Sequence, residues 1–177
     1  MKFFLKIFIF CFLFIVPANA ACKFIIDIGD RGARLFQKFS KPIPAFGGQI
    51  VLPILSPLVC PDDNLNTNIA IEYIFLGDTP LKSNLAAIKM VVLNDGKNTE
   101  SNKLTLMNYA KKVYGDFDTG PNPQTFNNFN IWKKQNNIII YKRLLIENLI
   151  DEEIFITNKE YNKKLIEFYN QSETGKK

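Results

Sequence analysis

The side chains able to do chemistry in this chain are cysteines, carboxylates, lysines, tyrosines and hydroxyls, because no histidine occurs among its 177 residues. That gap removes the Ser-His-Asp and Cys-His nucleophilic machines and every zinc or haem site that needs an imidazole ligand. What remains for hydrolysis is a pair of carboxyl groups facing each other across a cleft, roughly 5–10 Å apart, with one pKa raised so that it can act as the acid. The residues that could supply such a pair, in a hydrolase acting on glycans, are Asp62, Asp63, Asp116, Asp118, Asp151, Glu152 and Glu153. All lie in stretches that read as turns or helix starts, where carboxylates are ordinarily solvated or capping. This chemistry is therefore the alternative reading of the chain, not the leading one.

Two motifs approach a chemical signature and then depart from it. Asp118-Thr119-Gly120 resembles the tripeptide that carries the catalytic aspartate of retroviral-type and pepsin-type proteases. In those enzymes apolar strand residues lead into the motif, whereas here it follows the helix-ending Gly115 and precedes Pro121-Asn122-Pro123, the setting of an exposed turn. Oxygen-bearing side chains at 62, 64, 66 and 68 alternate as in a calcium loop, but Thr67 stands where the sharp turn needs glycine and Tyr73 where a bidentate glutamate should close the cage. Gly47-Gly48 lacks the Gly-Lys-Ser/Thr ending of a phosphate loop. No metal and no cofactor is expected.

The cysteines depend on the N-terminus for their meaning. Met1 to Lys6 carries two lysines, Ile7 to Val16 is unbroken apolar sequence, Pro17 interrupts it, and Ala18-Asn19-Ala20 puts small residues where a signal peptidase reads. Residues 1–20 thus read as a cleaved secretory signal, since about ten apolar residues fall well short of the twenty or so that a membrane-spanning helix needs. Cys11 leaves with the signal, and Cys22 and Cys60 remain. In an oxidising exported compartment an even pair reads as a disulfide, and closing a loop of nearly forty residues is worth about 4 kcal/mol in the chain-entropy model. The rival is a lipid anchor on Cys22, disfavoured because Asn19 stands where lipoprotein signals carry an apolar residue. The expected location is periplasmic or secreted, with no integral membrane segment in the mature chain.

Charge gives no partner. The formal charge of +5 falls to +3 when Lys2 and Lys6 leave, with 20 basic residues against 17 acidic ones. The only arginines are Arg31, Arg34 and Arg143, and the lysines are scattered, whereas nucleic-acid readers gather basic side chains into a stripe. Nucleic acid is therefore excluded as the expected partner.

The elements that must position these residues follow from periodicity and breakers. With 47% hydrophobic residues, the chain from 21 to 170 can build one core, and 171–177 reads as a mobile polar tail. Lys23 to Ile28 reads as a short strand and Arg31 to Phe39 as one or two helical turns. Residues 42–61 hold five of the nine prolines, which forbids a helix and leaves extended segments at a sheet edge or across the core. Ile69 to Leu76 and Ala86 to Leu93 read as an antiparallel pair, Ser101 to Tyr114 as a helix capped by Gly115, and 129–134 with 137–144 as a hairpin turning at Asn136 and Asn137. Glu153 to Thr157 adds a strand. The last helix, 158–169, opens on a Thr157/Glu160 capping box and buries Tyr161, Leu165, Phe168 and Tyr169.

This order predicts a single α+β domain with a mainly antiparallel sheet of five to seven strands and two main helices, 101–114 and 158–169, packed on it. The function expected is that of a small exported bacterial module that binds an unidentified protein or envelope component without catalysis. Its expected contact surface is the apolar segment from Phe46 to Val59, namely Phe46, Ile50, Leu52, Ile54 and Leu55, together with Trp132, although a lone hairpin tryptophan more often covers a core.

Overall fold

The computed structural model describes residues 22, 24, 26–39, 43–45, 48–60, 65, 67–79, 81–93, 103–146 and 149–173. The signal-peptide reading, Phe46, Asp62, Asp63 and the end of the tail at 174–177 lie outside them.

The sequence forms one antiparallel sheet with two helices of substance, as an α+β domain should. A short helix α1 (Ala33–Lys38) comes first, then β1 (Ile43–Ala45), β2 (Gln49–Leu55), β3 (Ile69–Leu76) and β4 (Asn84–Val92). Helix α2 (Thr105–Tyr114) crosses over to a second set, β5 (Asn128–Lys134), β6 (Asn137–Ile146) and β7 (Leu149–Asn158), and α3 (Lys159–Glu173) closes the chain. The seven strands run in the order β1-β2-β3-β4-β7-β6-β5. Two meanders are thus joined through their last strands, β4 and β7, which puts β7 inside the sheet and leaves β5 at one end.

Alternation gives the sheet two unlike faces. On the first, Leu52, Tyr73, Ile88, Ile139 and Ile156 are buried together with Leu106, Met107, Tyr109 and Ala110 of α2. On the second, Ile74 and Ala87 pack with Tyr161 and Leu165 of α3, and Phe155 lies against them. Helix α3 covers only part of that face, contacting β4 and β7.

Several expectations about local structure are corrected. Lys23 to Ile28 does not form a strand among its described residues. Asp30 N–H donates to Asp27 O at 3.0 Å and Asp27 N–H to Asp30 Oδ2 at 3.1 Å, so turn chemistry around Gly29, at φ +101°, overrides the apolar alternation. Helix α2 starts at Thr105, not Ser101, after Leu104 takes φ 57°, and Gly115 ends it by donating to Lys111 O at 3.2 Å. The β5–β6 turn falls on Gln135, at φ 52°, and Asn136, one residue earlier than expected, because Lys134 pairs with Asn137. Asn158 caps α3, its Oδ1 accepting from Tyr161 N–H at 2.9 Å. Thr157 instead donates to Ala86 O at 2.7 Å, where the β3–β4 register slips between Ile74 and Phe75. The helix runs on through Gln171 to Glu173, so those residues of the expected tail are helical, and Tyr169 is exposed.

The proline-rich stretch becomes β1, β2 and a 3-10 turn at Ser56–Leu58. Proline cannot donate to a ladder, yet Pro53 pairs with Glu72 within β2. The position tolerates it because β1 reaches only Gln49 to Val51 of β2, so beyond Val51 the outer edge of β2 has no neighbouring strand among the described residues.

Candidate functional site

Cys22 and Cys60 are bonded, with their Cα atoms 4.6 Å apart, and both are buried in the main core. Cys22 N–H also donates to the Tyr109 hydroxyl at 3.3 Å, tying the N-terminal segment to α2. A lipid anchor would need the Cys22 sulfur that this bridge uses.

The described carboxylates among the catalytic candidates lie in two places, the loop after α2 and strand β7. Residues 151–153 belong to β7, not to a turn, and successive side chains of a strand point to opposite faces. Asp151 and Glu153 therefore share the second face, where both reach Lys142 Nζ, at 2.8 and 3.1 Å. Burial opposes the charged form of Lys142, but hydrogen bonds to Asp151 and Glu153 and their negative charges outweigh it and raise its pKa. Asp116 lies in the loop after α2 and pairs with Lys111 at 2.9 Å. A hydrogen bond from Lys111, then one from Phe117 N–H, holds its carboxyl below the usual range. Asp118 is exposed and accepts from Gly120 N–H at 2.8 Å, the turn that the proline context implied. Among the described candidates, Asp116, Asp151 and Glu153 are each engaged by a lysine. Among the described residues, no group of three or more Cys, Asp or Glu could hold a metal ion, and no helix is long and apolar enough to cross a membrane.

Glu152 is different. It points to the first face, is 1% exposed, and accepts the Tyr141 hydroxyl at 2.6 Å. Arg143, 2% exposed, stands directly opposite it in the β6–β7 register, with Nε 4.0 Å from Glu152 Oε1. Its Nη1 donates to Gln124 O at 3.0 Å. Burial, then the Glu152 charge and the hydrogen bond to it, push the Tyr141 phenol far above its ordinary range. Aromatic rings roof the cluster: Phe117 lies 5.4 Å from Tyr141 and 5.3 Å from Trp132, and Phe126 stacks on Tyr141 at 6.0 Å. This buried ionic group has the makings of a positioning device for the loop at 116–126, with tyrosine, carboxylate and guanidinium all engaged. It was hidden in the sequence because it needs the hairpin register. The β6–β7 register sets Arg143 opposite Glu152, and the arginine following Ile139 and Tyr141 on one face was the visible signal.

The residues proposed for partner contact also divide. Ile50, Leu52 and Ile54 are core side chains at 5, 1 and 5% exposure, so of the two readings of that stretch the one laid across the core holds for them and their place on a contact surface is corrected. Leu55 is exposed, with Leu58 beyond it. Trp132 is half-buried against Tyr114 and Phe117 and acts as an edge cover of the first face.

A different surface carries four of the exposed apolar side chains. On the second face, beyond the reach of α3, β5–β7 present Phe129 at 58% and Ile131 at 47% exposure, with Ile146 and Leu149 exposed at the hairpin end. The half-buried Ile138, Ile140 and Leu144 connect them around the Lys142–Asp151–Glu153 ion pairs. Sequence reading missed this face because Phe129, Ile131 and Ile140 look like ordinary strand residues until the position of α3 is known. Compared with known protein families, curated proteins and solved structures, the chain matches none of them.

Proposed function

We propose that this protein is a small exported module that binds another protein or an envelope component through the β5–β7 end of its sheet, and that it does so without catalysis. The observation that carries the reading is the uncovered second face, where Phe129, Ile131, Ile146 and Leu149 are each about half exposed or more around the Lys142–Asp151–Glu153 ion pairs. Clustered apolar side chains on one face are characteristic of interaction surfaces, whereas singly scattered ones are not. The buried disulfide supports work in an oxidising compartment, periplasmic or secreted, and the signal-like N-terminus accords with it.

Affinity capture from the native envelope tests this. Oxidised mature protein should retain a discrete partner that is lost with Phe129→Lys plus Leu149→Lys and kept with Leu58→Lys, which lies away from this face. Equal capture by all three proteins would refute the assignment of the surface.

A further inference from the structure

Strand β5 ends the sheet, and its outer edge pairs with no strand among the described residues. Its open groups can be assigned. Phe129 N–H donates to Asn128 Oδ1 at 2.8 Å, not to β6, so it faces outward. Every second residue of an antiparallel edge strand turns both its N–H and its C=O away from the sheet, which puts Ile131 and Lys133 in the same set. The edge thus offers outward donor–acceptor pairs at Ile131 and Lys133 and an outward carbonyl at Phe129, whose N–H the exposed Asn128 side chain holds until a neighbouring strand displaces it. The opposite end of the sheet is blunted, since β1 has only three residues and one is Pro44.

We infer that β5 pairs with β5 of a second copy of this chain, antiparallel about a two-fold axis at Ile131. This rests on the interaction surface proposed above and names one occupant of its edge. Setting Ile131 opposite Ile131 of the second copy is the register that uses all seven residues of β5. It also matches the hydrogen-bonding phase, because outward residues meet outward residues: Phe129 opposes Lys133, and Ile131 opposes itself.

Charge favours the same register. Lys133 falls opposite Phe129 and Lys134 opposite Asn128, so no like charges meet across the seam, and an ammonium beside an aromatic ring is attractive. An axis at Lys133 would instead place two lysines face to face. Because the axis is perpendicular to the sheet, the exposed second faces of both copies join into one surface. Pairing seven residues and covering the flanking side chains buries roughly 1,000 Å² in total, at the low end for a specific interface, so the dimer is expected to form in the micromolar range. The blunted β1 edge stops the assembly at two copies, giving a closed dimer rather than a fibre.

Sedimentation equilibrium of the oxidised mature protein from about 5 to 500 µM tests the proposal. The expected result is a monomer–dimer equilibrium that is weakened at least tenfold by Ile131→Lys, which sets like charges on the axis. Ile131→Glu should weaken it likewise. A one-to-one mixture of Ile131→Lys and Ile131→Glu should recover the dimer, a result that a merely misfolded variant could not give. A wild-type monomer at every concentration overturns the proposal and leaves the edge to a strand of another protein, while the surface reading still stands or falls by the capture experiment. A dimer indifferent to both substitutions, or a mixture no more associated than its components, also overturns it.

Discussion

Replacing Arg143 with methionine removes the countercharge of a carboxylate that has almost no access to water, and this is where the fold should be most sensitive to a single polar change. Arg143 and Glu152 are 2% and 1% exposed, and Tyr141, wholly buried, donates to the same carboxylate at 2.6 Å. Breaking a buried ion pair from one side costs about 3–5 kcal/mol, because the remaining charge stays desolvated. Loss of the bond from Arg143 Nη1 to Gln124 O, 3.0 Å long, adds about 1 kcal/mol. Against a total stability of about 5–15 kcal/mol, Arg143→Met should bring the protein close to unfolding. Glu152→Gln keeps the shape and the acceptor for Tyr141 while removing the charge, and alone it should cost about 2–4 kcal/mol by leaving the guanidinium without its carboxylate. Together the two changes should cost far less than their sum, with a coupling of at least about 2 kcal/mol. Urea unfolding followed by the fluorescence of Trp132, the single tryptophan, reads all four corners of the cycle, since that ring sits 5.3 Å from Phe117 beside the cluster. An additive cycle, or an Arg143→Met cost below about 1 kcal/mol, would refute the view that a charged pair holds this part of the fold.

Breaking the Cys22–Cys60 bridge, which spans a sequence separation of 38, by a double serine substitution should cost about 4 kcal/mol and lower the urea midpoint without loss of secondary structure in the absence of denaturant. Lys142→Met should destabilise the protein at neutral pH by about 1 kcal/mol, because Asp151 and Glu153 then repel each other across one strand. The folded-state pKa of Lys142 is raised above its ordinary 10.5, so its contribution is fully present below that value and lost as pH rises through the folded pKa; the gap between wild type and variant in urea unfolding should stay constant from pH 7 to 10 and close above it. Gly77→Ala should cost about 2–3 kcal/mol in thermal or urea unfolding, since Gly77 sits at φ +145° and an added Cβ would lie 2.9 Å from the Ser83 backbone.

The sequence was most readable where a residue's role depends on its own neighbours. Alternation over Ile69 to Leu76, the Gly115 stop and the amphipathic spacing of Tyr161 and Leu165 each specify a local geometry, and the antiparallel α+β layout follows from them. It was least readable where the role depends on which strand lies alongside. Ile50, Leu52 and Ile54 could have lined a surface or a core, and only the pairing of β2 with β3 decides for the core. Thr157 had capping spacing, but the carbonyl of Ala86, freed by the slipped β3–β4 register, competes for its hydroxyl, and Asn158 takes over the cap. Glu152 was indistinguishable from Asp151 and Glu153 in a run of three acids until alternation along β7 sent it alone into the core. The exposed face is a property of where α3 stops, which no local pattern encodes.

Site-specific photo-crosslinking in the native envelope tests the central claim most directly. A photoreactive phenylalanine analogue placed at Phe129 should give a discrete covalent adduct, and one placed at Leu58, 64% exposed but away from the β5–β7 end, should give none. An adduct at twice the mass of the mature chain would identify the second copy, and a different mass another partner; either locates binding at this end of the sheet. No adduct at Phe129, or the same adducts from both positions, would contradict the account.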